Sequence, residues 1–329
     1  NMIISRTPFR ISLFGGGTDY PKWYNKNFGS VINVTINKYC YINVRKLPPF
    51  FNYKYYIRYY QREQVEKLNK IKHPSVRECL KFVNLKYGVE IVHNADLPAR
   101  SGIGSSSTFT VGLLNALMAL KNQTLTKKEL SLKSIHLEQN ILKENVGSQD
   151  QIAASFGGLN RIDFGGKSKF TINPYVLNPT YEKKINSNLI LIFTGIERSA
   201  SSIAKKQLKS MESNQNKYEK ILKITREADD ILRKNKNPDL LGELLDEQWK
   251  IKKNLSSDIS NNKIEKIYKN AKLNGAIGCK LLGAGAGGFM LIYARKKNQK
   301  KIINSLKNFL YVPFNFDYTG SQIIYYSKN

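Results

Sequence analysis

Alternation of apolar and polar positions is strongest over residues 31–45, VINVTINKYCYINVR, where Ile32, Val34, Ile36, Cys40, Ile42 and Val44 share one face. A period of two sends successive side chains to opposite faces, so this segment predicts one strand, or two meeting at Asn37-Lys38. FNYKYYIRYY, 51–60, repeats the pattern with Phe51, Tyr53, Tyr55, Ile57 and Tyr59 together. Its interleaved Tyr, Lys and Arg also suit a stacking platform for single-stranded nucleic acid, but the period favours a half-buried strand. Residues 75–87 predict a helix, 88–97 a strand, and FTVGLLNALMAL a buried helix. Residues 127–145 predict an amphipathic helix with Leu130, Ile135, Leu137, Ile141 and Leu142 inward. A further helix opens near Ser148, GGLNRIDFGG (157–166) is turn-rich, and KFTINPYVLNP is strand and loop.

The second half opens on a buried strand, NLILIFTG (188–195), followed by helices at about 200–212, 215–235, 239–254 and 263–273. CKLLGAGAGGFMLIYA then predicts strand, glycine turn and strand, KKIINSLKNFL a helix, and SQIIYYS a last strand. Helices and strands mix without a regular βαβ repeat, which is an α+β pattern. The length, 329 residues, suits two domains, and we divide the chain into 1–182 and 183–329.

Composition narrows the class. Hydrophobic residues make up 41%, as in a globular chain. No apolar run approaches the roughly 18 residues of a membrane span. Arg6 and Arg10 interrupt the N-terminal MIISRTPFRISLF before a signal-peptide core can form, and Met2 reads as the initiator. Cys40, Cys79 and Cys279 lie far apart with neither metal spacing nor a disulfide framework, which fits a reducing cytoplasm. The net charge of +28 would suit nucleic acid, an acidic membrane or a phosphorylated substrate. The lysines are dispersed, however, and the nearest block, KKNQKK at 296–301, reads as a solvated helix face. The expectation is no nucleic-acid or membrane partner and a phosphorylated small molecule, with monomer and homodimer both open.

Glycine concentrates in FGGGTDY (14–20), SGIGSSS (101–107) and LGAGAGG (282–288). FGGKS (164–168) is not a P-loop, because position 161 is Arg. Gly283, Gly285 and Gly288 satisfy G-x-G-x-x-G, but a strand follows instead of a helix, so a dinucleotide site is not expected. A hairpin turn explains them, and the run of small residues also admits a second backbone. SGIGSSS joins a strand to a helix that Ser105, Ser106 or Ser107 would cap, leaving either an ordinary turn or an anion cradle at the helix start. Two carboxylates stand out. Glu138 lies in the 127–145 helix. Asp150 falls in the first turn of the next helix, where Ser148 and Gln151 form a capping box. Taken alone, the two read as a surface charge and a helix-end support.

PFRISLFGGGTD (8–19), PARSGIGSSS (98–107) and KLLGAGAGG (280–288) resemble the three ordered motifs of the GHMP kinases, over nearly the whole chain. Within that family GGGTDY, NVGSQDQIAASFGGLNRIDF and FTGIERSASSI look most like the D-glycero-D-manno-heptose 7-phosphate kinases, with fucokinases next. The resemblance implies an N-terminal domain like the second domain of ribosomal protein S5, a ferredoxin-like C-terminal domain, and ATP between them. It puts Pro98, Gly102, Ile103, Gly104, Ser105, Ser106 and Ser107 around the ATP phosphates, with Ser106 and Glu138 as Mg²⁺ ligands. It implies that Asp150 lies near the acceptor hydroxyl and that Arg10 neutralises the transferring phosphoryl group. Asp19 would bind sugar hydroxyls in a pocket shaped by Gly16, Gly17 and Thr18. Gly283, Ala284, Gly285 and Gly287 would close the site from the C-terminal domain. Ala286 stands where many relatives have glycine, and alanine is tolerated there if φ is negative; Cys279 stands where heptose kinases often have glycine. Arg198, Lys205 and Lys206 are candidates for a sugar phosphate. The implied activity is ATP-dependent phosphorylation of the anomeric hydroxyl of heptose 7-phosphate, for nucleotide-activated heptose and surface polysaccharide. A fucokinase or galactokinase-like enzyme on a free sugar is the alternative, and an ATP-binding regulatory or nucleic-acid-binding protein the non-enzyme one.

Overall fold

A computed structural model describes residues 2–165, 169–197 and 200–327. Its first sheet is built on β1 (Met2–Phe14) and β2 (Gly29–Lys46), paired antiparallel. β2 is continuous, so the alternation does not break at Asn37-Lys38. Pro8 lies past the part of β1 that pairs with β13, which ends at Arg6, so only β2 pairs beside it, and the register to β2 shifts between Pro8 and Arg10 and again between Ser12 and Phe14. Such irregularities accommodate Pro8 and re-aim the side chains beside it, Arg10 among them.

β3 (Tyr55–Arg58), β4 (Arg62–Val65) and β5 (Val89–Ala95) extend this sheet, with β3 parallel to β5. Only four residues of the 51–60 segment are strand, and Phe51 is exposed, so the expected run is shortened at both ends. β6 (Leu159–Phe164) pairs with β2, and β7 (Phe170–Pro174) pairs with β6. The segment expected to be turn-rich is therefore largely strand. Its turns are confined to flanking glycines, Gly157 and Gly158 at positive φ on one side and Gly165 on the other.

α1 (Pro21–Tyr24) and α2 (Pro74–Val83) are short. α3 (Ser105–Leu120) lies against β1 and β2 and buries Val111, Leu113, Leu114 and Leu117 completely. α4 (Lys127–His136) opens on a capping box, Thr126 with Glu129, and runs on as a π-helical turn over Leu137–Ile141. That turn changes the helical phase. Leu130 and Leu137 are buried, but Ile141 is exposed and Leu142 only half-buried, contrary to the inward face expected. α5 is Gln149–Phe156, and α6 is Pro179–Ser187.

The second sheet is antiparallel, in the order β11-β8-β10-β9, from β8 (Leu189–Phe193), β9 (Gly278–Leu281), β10 (Phe289–Tyr293) and β11 (Leu310–Val312). Around it lie α7 (Ala200–Lys209), α8 (Gln215–Arg233), α9 (Asp239–Lys252), α10 (Asn262–Leu273) and α11 (Lys296–Ser305). Its core includes Trp249, Ile264, Ile267, Met290 and Ile292. The chain then returns to the first sheet, β12 (Phe316–Asp317) pairing with β2 and β13 (Gln322–Ser327) with β1. Two sheets with separate helical layers make the α+β architecture expected.

Candidate active site

β1 ends in the first glycine loop. A Cβ at Gly15 would lie 1.9 Å from Ser30 O, so only glycine lets the loop press on β2. Gly17 N donates to Asp19 Oδ1 at 2.9 Å, and Ser148 N donates to Asp19 O at 2.9 Å. Asp19 is 2% exposed; burial first, then the Asp150 charge, push its carboxyl above the usual range. Gly16, Gly17 and Asp19 line a cavity of about 340 Å³. Thr18 does not. It is fully buried, with its hydroxyl 2.9 Å from Gly15 O and 3.0 Å from Ser30 O, and so braces the loop.

The second loop enters α3 through Gly104, at φ +75, with no side-chain cap. The expected serine cap is absent: Ser105 Oγ accepts from Arg100 N, back in the loop. The first N–H groups of α3 are thereby left to the cavity, which suits an anion. Gly102, Gly104, Ser105, Ser106 and Ser107 line it. Ile103 is core, and Pro98 only supplies its carbonyl to Ser101 Oγ.

Glu138 is not the surface charge the helix pattern suggests. The π turn places it at 0% exposure, where Ser107 Oγ donates to Oε2 at 2.7 Å and Gln151 Nε2 donates to the same oxygen. Oε1 has no hydrogen-bond partner among the described residues, and burial pushes the carboxyl up to about 7. The hydroxyl bonded to Glu138 is thus that of Ser107, with Ser106 beside it in the wall. Gln151, drawn to this buried carboxylate, makes no capping box. Ser148 starts α5 without a side-chain cap and instead bonds Tyr24 Oη and Gln139 Nε2.

Asp150 occupies the first turn of α5 as expected and meets Arg10 in a forked pair: Nε to Oδ1 at 2.7 Å and Nη2 to Oδ2 at 2.8 Å. Arg10 Nη1 donates to Gly102 O at 2.9 Å. The guanidinium, expected to face a phosphoryl group, is engaged by Asp150 and the second loop.

The third loop locks onto the second, backbone against backbone. A Cβ on Gly102 would lie 2.5 Å from Leu282 O, and one on Gly283 2.5 Å from Gly102 Cα. Phe289 N donates to Ser101 O at 3.1 Å. Gly283 and Ala284 line the cavity, whereas Gly285 packs on Ile259 and Gly287 on Ile196. Ala286 sits at φ +64, not the negative φ at which alanine is readily tolerated, and is held by its own N–H to Ile259 O and by Asn261 Nδ2 on its carbonyl. Cys279 is fully buried in β9.

Two cavity lysines were not singled out by sequence reasoning. Lys280, 2% exposed, donates to Ser12 O at 2.7 Å and Leu13 O at 2.6 Å; burial first, then Lys252 and Arg10, hold it well below the usual lysine range. It sits inside KLLGAGAGG, where the glycines drew attention away. Lys252, 8% exposed, ends α9 and donates to Gly283 O; burial, then Arg10, push it down to about 8. Nothing in WKIKK marks one lysine above its neighbours. Arg198 lies outside the described residues. Lys205 and Lys206 are exposed, Lys206 paired with Asp258, and neither lines the cavity.

The family model for the GHMP kinases N terminal domain matches residues 70–158, and that for the GHMP kinases C terminal region matches 227–312. The chain is 30% identical to a D-glycero-alpha-D-manno-heptose 7-phosphate kinase from Campylobacter jejuni, over 93% of each chain. Its fold is similar to the crystal structure of a D-glycero-D-manno-heptose 1-phosphate kinase from Bacteroides thetaiotaomicron, TM-score 0.80 and 22% identity, covering 99% of this chain and 100% of the other. It is similar too to Lactococcus lactis galactokinase in complex with galactose, TM-score 0.72 and 18% identity, covering 98% and 95%.

Proposed function

Because this chain belongs to the GHMP kinase family and is an ATP-dependent sugar kinase, we propose that its acceptor is D-glycero-D-manno-heptose 7-phosphate, phosphorylated at the anomeric hydroxyl. The observation that carries the choice of sugar is the match to the Campylobacter jejuni heptose 7-phosphate kinase along 93% of both chains. The cavity is compatible with it: Asp19, Asp150 and the open start of α3 all line it. No helix among the described residues is long and apolar enough to cross a membrane, and we place the activity in the cytoplasm.

In this reading the N–H groups that begin α3 hold phosphate oxygens of ATP. Asp19 accepts hydrogen bonds from sugar hydroxyls. Asp150, oriented by the Arg10 fork, receives the acceptor's proton as its oxygen bonds to the γ-phosphorus and the bond to the β-phosphate oxygen breaks. In phosphoryl transfer, positioning and electrostatics carry most of the catalysis. Glu138 fits a divalent cation: it is a wholly buried carboxylate with one oxygen unpartnered among the described residues, beside serine hydroxyls. Mg²⁺ held by Glu138 with Ser106 or Ser107 would neutralise phosphate charge.

The test is ADP release from Mg-ATP with heptose 7-phosphate, heptose 1-phosphate, mannose 6-phosphate, fucose, galactose or no sugar, with phosphorus NMR of the product. Turnover with heptose 7-phosphate and a new anomeric phosphate is expected. Turnover confined to a free sugar would replace the heptose reading with a fucokinase or galactokinase-like one.

A further inference from the structure

The cavity holds more positive charge than its acids answer. Arg10, Lys252 and Lys280 line it from β1, α9 and β9, and the exposed Arg100 from the second loop, together with Asp19, Glu144 and Asp150. Asp150 is taken by the Arg10 fork, and Asp19 accepts from Gly17 N. Lys280 turns back to the Ser12 and Leu13 carbonyls and ties the two sheets beneath the floor. Lys252 differs from both. Its only acceptor among the described residues is Gly283 O, and no carboxylate there lies within ion-pair distance. An ammonium has three donors, so N–H groups remain for the cavity. Burying a cation without an anion is costly, and a site that tolerates this is built to receive one.

Position says which anion. The Lys252 acceptor, Gly283 O, belongs to the residue that packs on Gly102, the loop leading into α3. Gln248, one turn earlier on α9, fastens the helix to the first glycine loop: its Oε1 accepts from Gly15 N and its Nε2 donates to Leu13 O. Lys252 is therefore held where all three loops converge, beside Arg10 and Asp19. Arg10, with its donors directed to Asp150 and Gly102 O, has little left for a phosphate.

We propose that Lys252 is the cation that contacts the γ-phosphate of ATP in this cavity. The assignment rests on the kinase reading but not on the identity of the sugar. The ammonium transfers no proton. It donates hydrogen bonds to phosphoryl oxygens, whose charge shifts as the bond to ADP breaks.

Binding without any sugar separates the two. Affinities for ATP and for ADP, in excess Mg²⁺, are measured by calorimetry for the wild-type chain, Lys252→Met and Lys252→Arg. A charge-assisted hydrogen bond to the γ-phosphate predicts that Lys252→Met weakens ATP about tenfold or more and ADP less than about twofold. Lys252→Arg should keep the preference for ATP. The facing charges are Arg10 and Lys280, which disfavour the ammonium, and Asp19, which favours it; Tyr218 on α8 is kept neutral by burial. Wild-type ATP affinity should hold below a pH of about 8 and fall above it. Lys252→Arg, whose guanidinium does not titrate there, should remove that fall. If Lys252→Met weakens ATP and ADP equally, Lys252 only braces Gly283 and the assignment is wrong. Unchanged ATP affinity overturns it too. A wild-type chain that binds neither nucleotide would remove the kinase reading first, and this assignment with it.

Discussion

Arg10 and Asp150 illustrate what a residue's type conveys and what it does not. Their identities marked them as candidates; their mutual fork, with Arg10 only 4% exposed, could not be read from positions 140 residues apart. The fork orients both carboxylate oxygens. Asp150→Asn would set an amide N–H against a guanidinium donor and remove the proton acceptor, so turnover should drop at least ~10²-fold. Single-turnover kinetics beside a thermal melt check this; a near-normal rate would refute the role. Glu138 makes a pH prediction. Its carboxyl is pushed from 4.5 up to about 7, so over that window the folded chain holds more protons than the unfolded one. Stability contributed at this site therefore falls as pH rises from about 4.5 to 7, then levels off. In metal-free protein Glu138→Gln should flatten that slope in denaturant midpoints. Added Mg²⁺ should stabilise the wild type above pH 7 and leave the variant unmoved. Equal slopes in the two would place the proton elsewhere.

At the scale of elements, the second and third glycine loops form one unit. Either alone reads as a turn, and the run of small residues hinted only that some backbone comes close. The structure supplies the partner: at each closest approach one of the two backbones is glycine, Gly102 against Leu282 and Gly283, and Gly288 against Ser101. Gly283→Ala would place a methyl 2.5 Å from Gly102 Cα at φ +73. It should cost about 1–3 kcal/mol in chemical denaturation and weaken ATP binding by displacing the loop before α3. Wild-type stability and affinity would mean the loops part without consequence. β2 and α8 were legible from their period, and α3 from its continuous apolar run. β6 was obscured by flanking glycines. The π turn at 137–141, which leaves Glu138 in the interior, was invisible because no local pattern marks it.

For the whole molecule, the proposed division at 182/183 leaves two strands of the first sheet in the second part. β12 and β13 come from the C-terminal end and complete the first sheet; Arg6 Nη2 donates to Gln322 Oε1, and Thr7 Oγ1 lies 2.8 Å from Ser321 Oγ. Removing residues 313–329 would expose the β1 edge, a row of unpaired backbone groups. A chain ending at 312 should lose cooperative unfolding and bind a hydrophobic dye, and residues 1–182 alone should fare no better. Full cooperativity in either would show that the last strands only decorate the sheet.

Local chemistry determined a good deal: the α+β class, most elements, the three glycine loops and the two acids, since period, turn residues and motif spacing are written in neighbouring positions. Tertiary structure decided which of these meet. It chose Ser107 as the partner of Glu138, turned Thr18, Gly285 and Gly287 away from the cavity, and brought Lys252 and Lys280 to its floor. Those outcomes depend on packing between segments far apart in the chain, where burial and charge act through space and no local pattern records them.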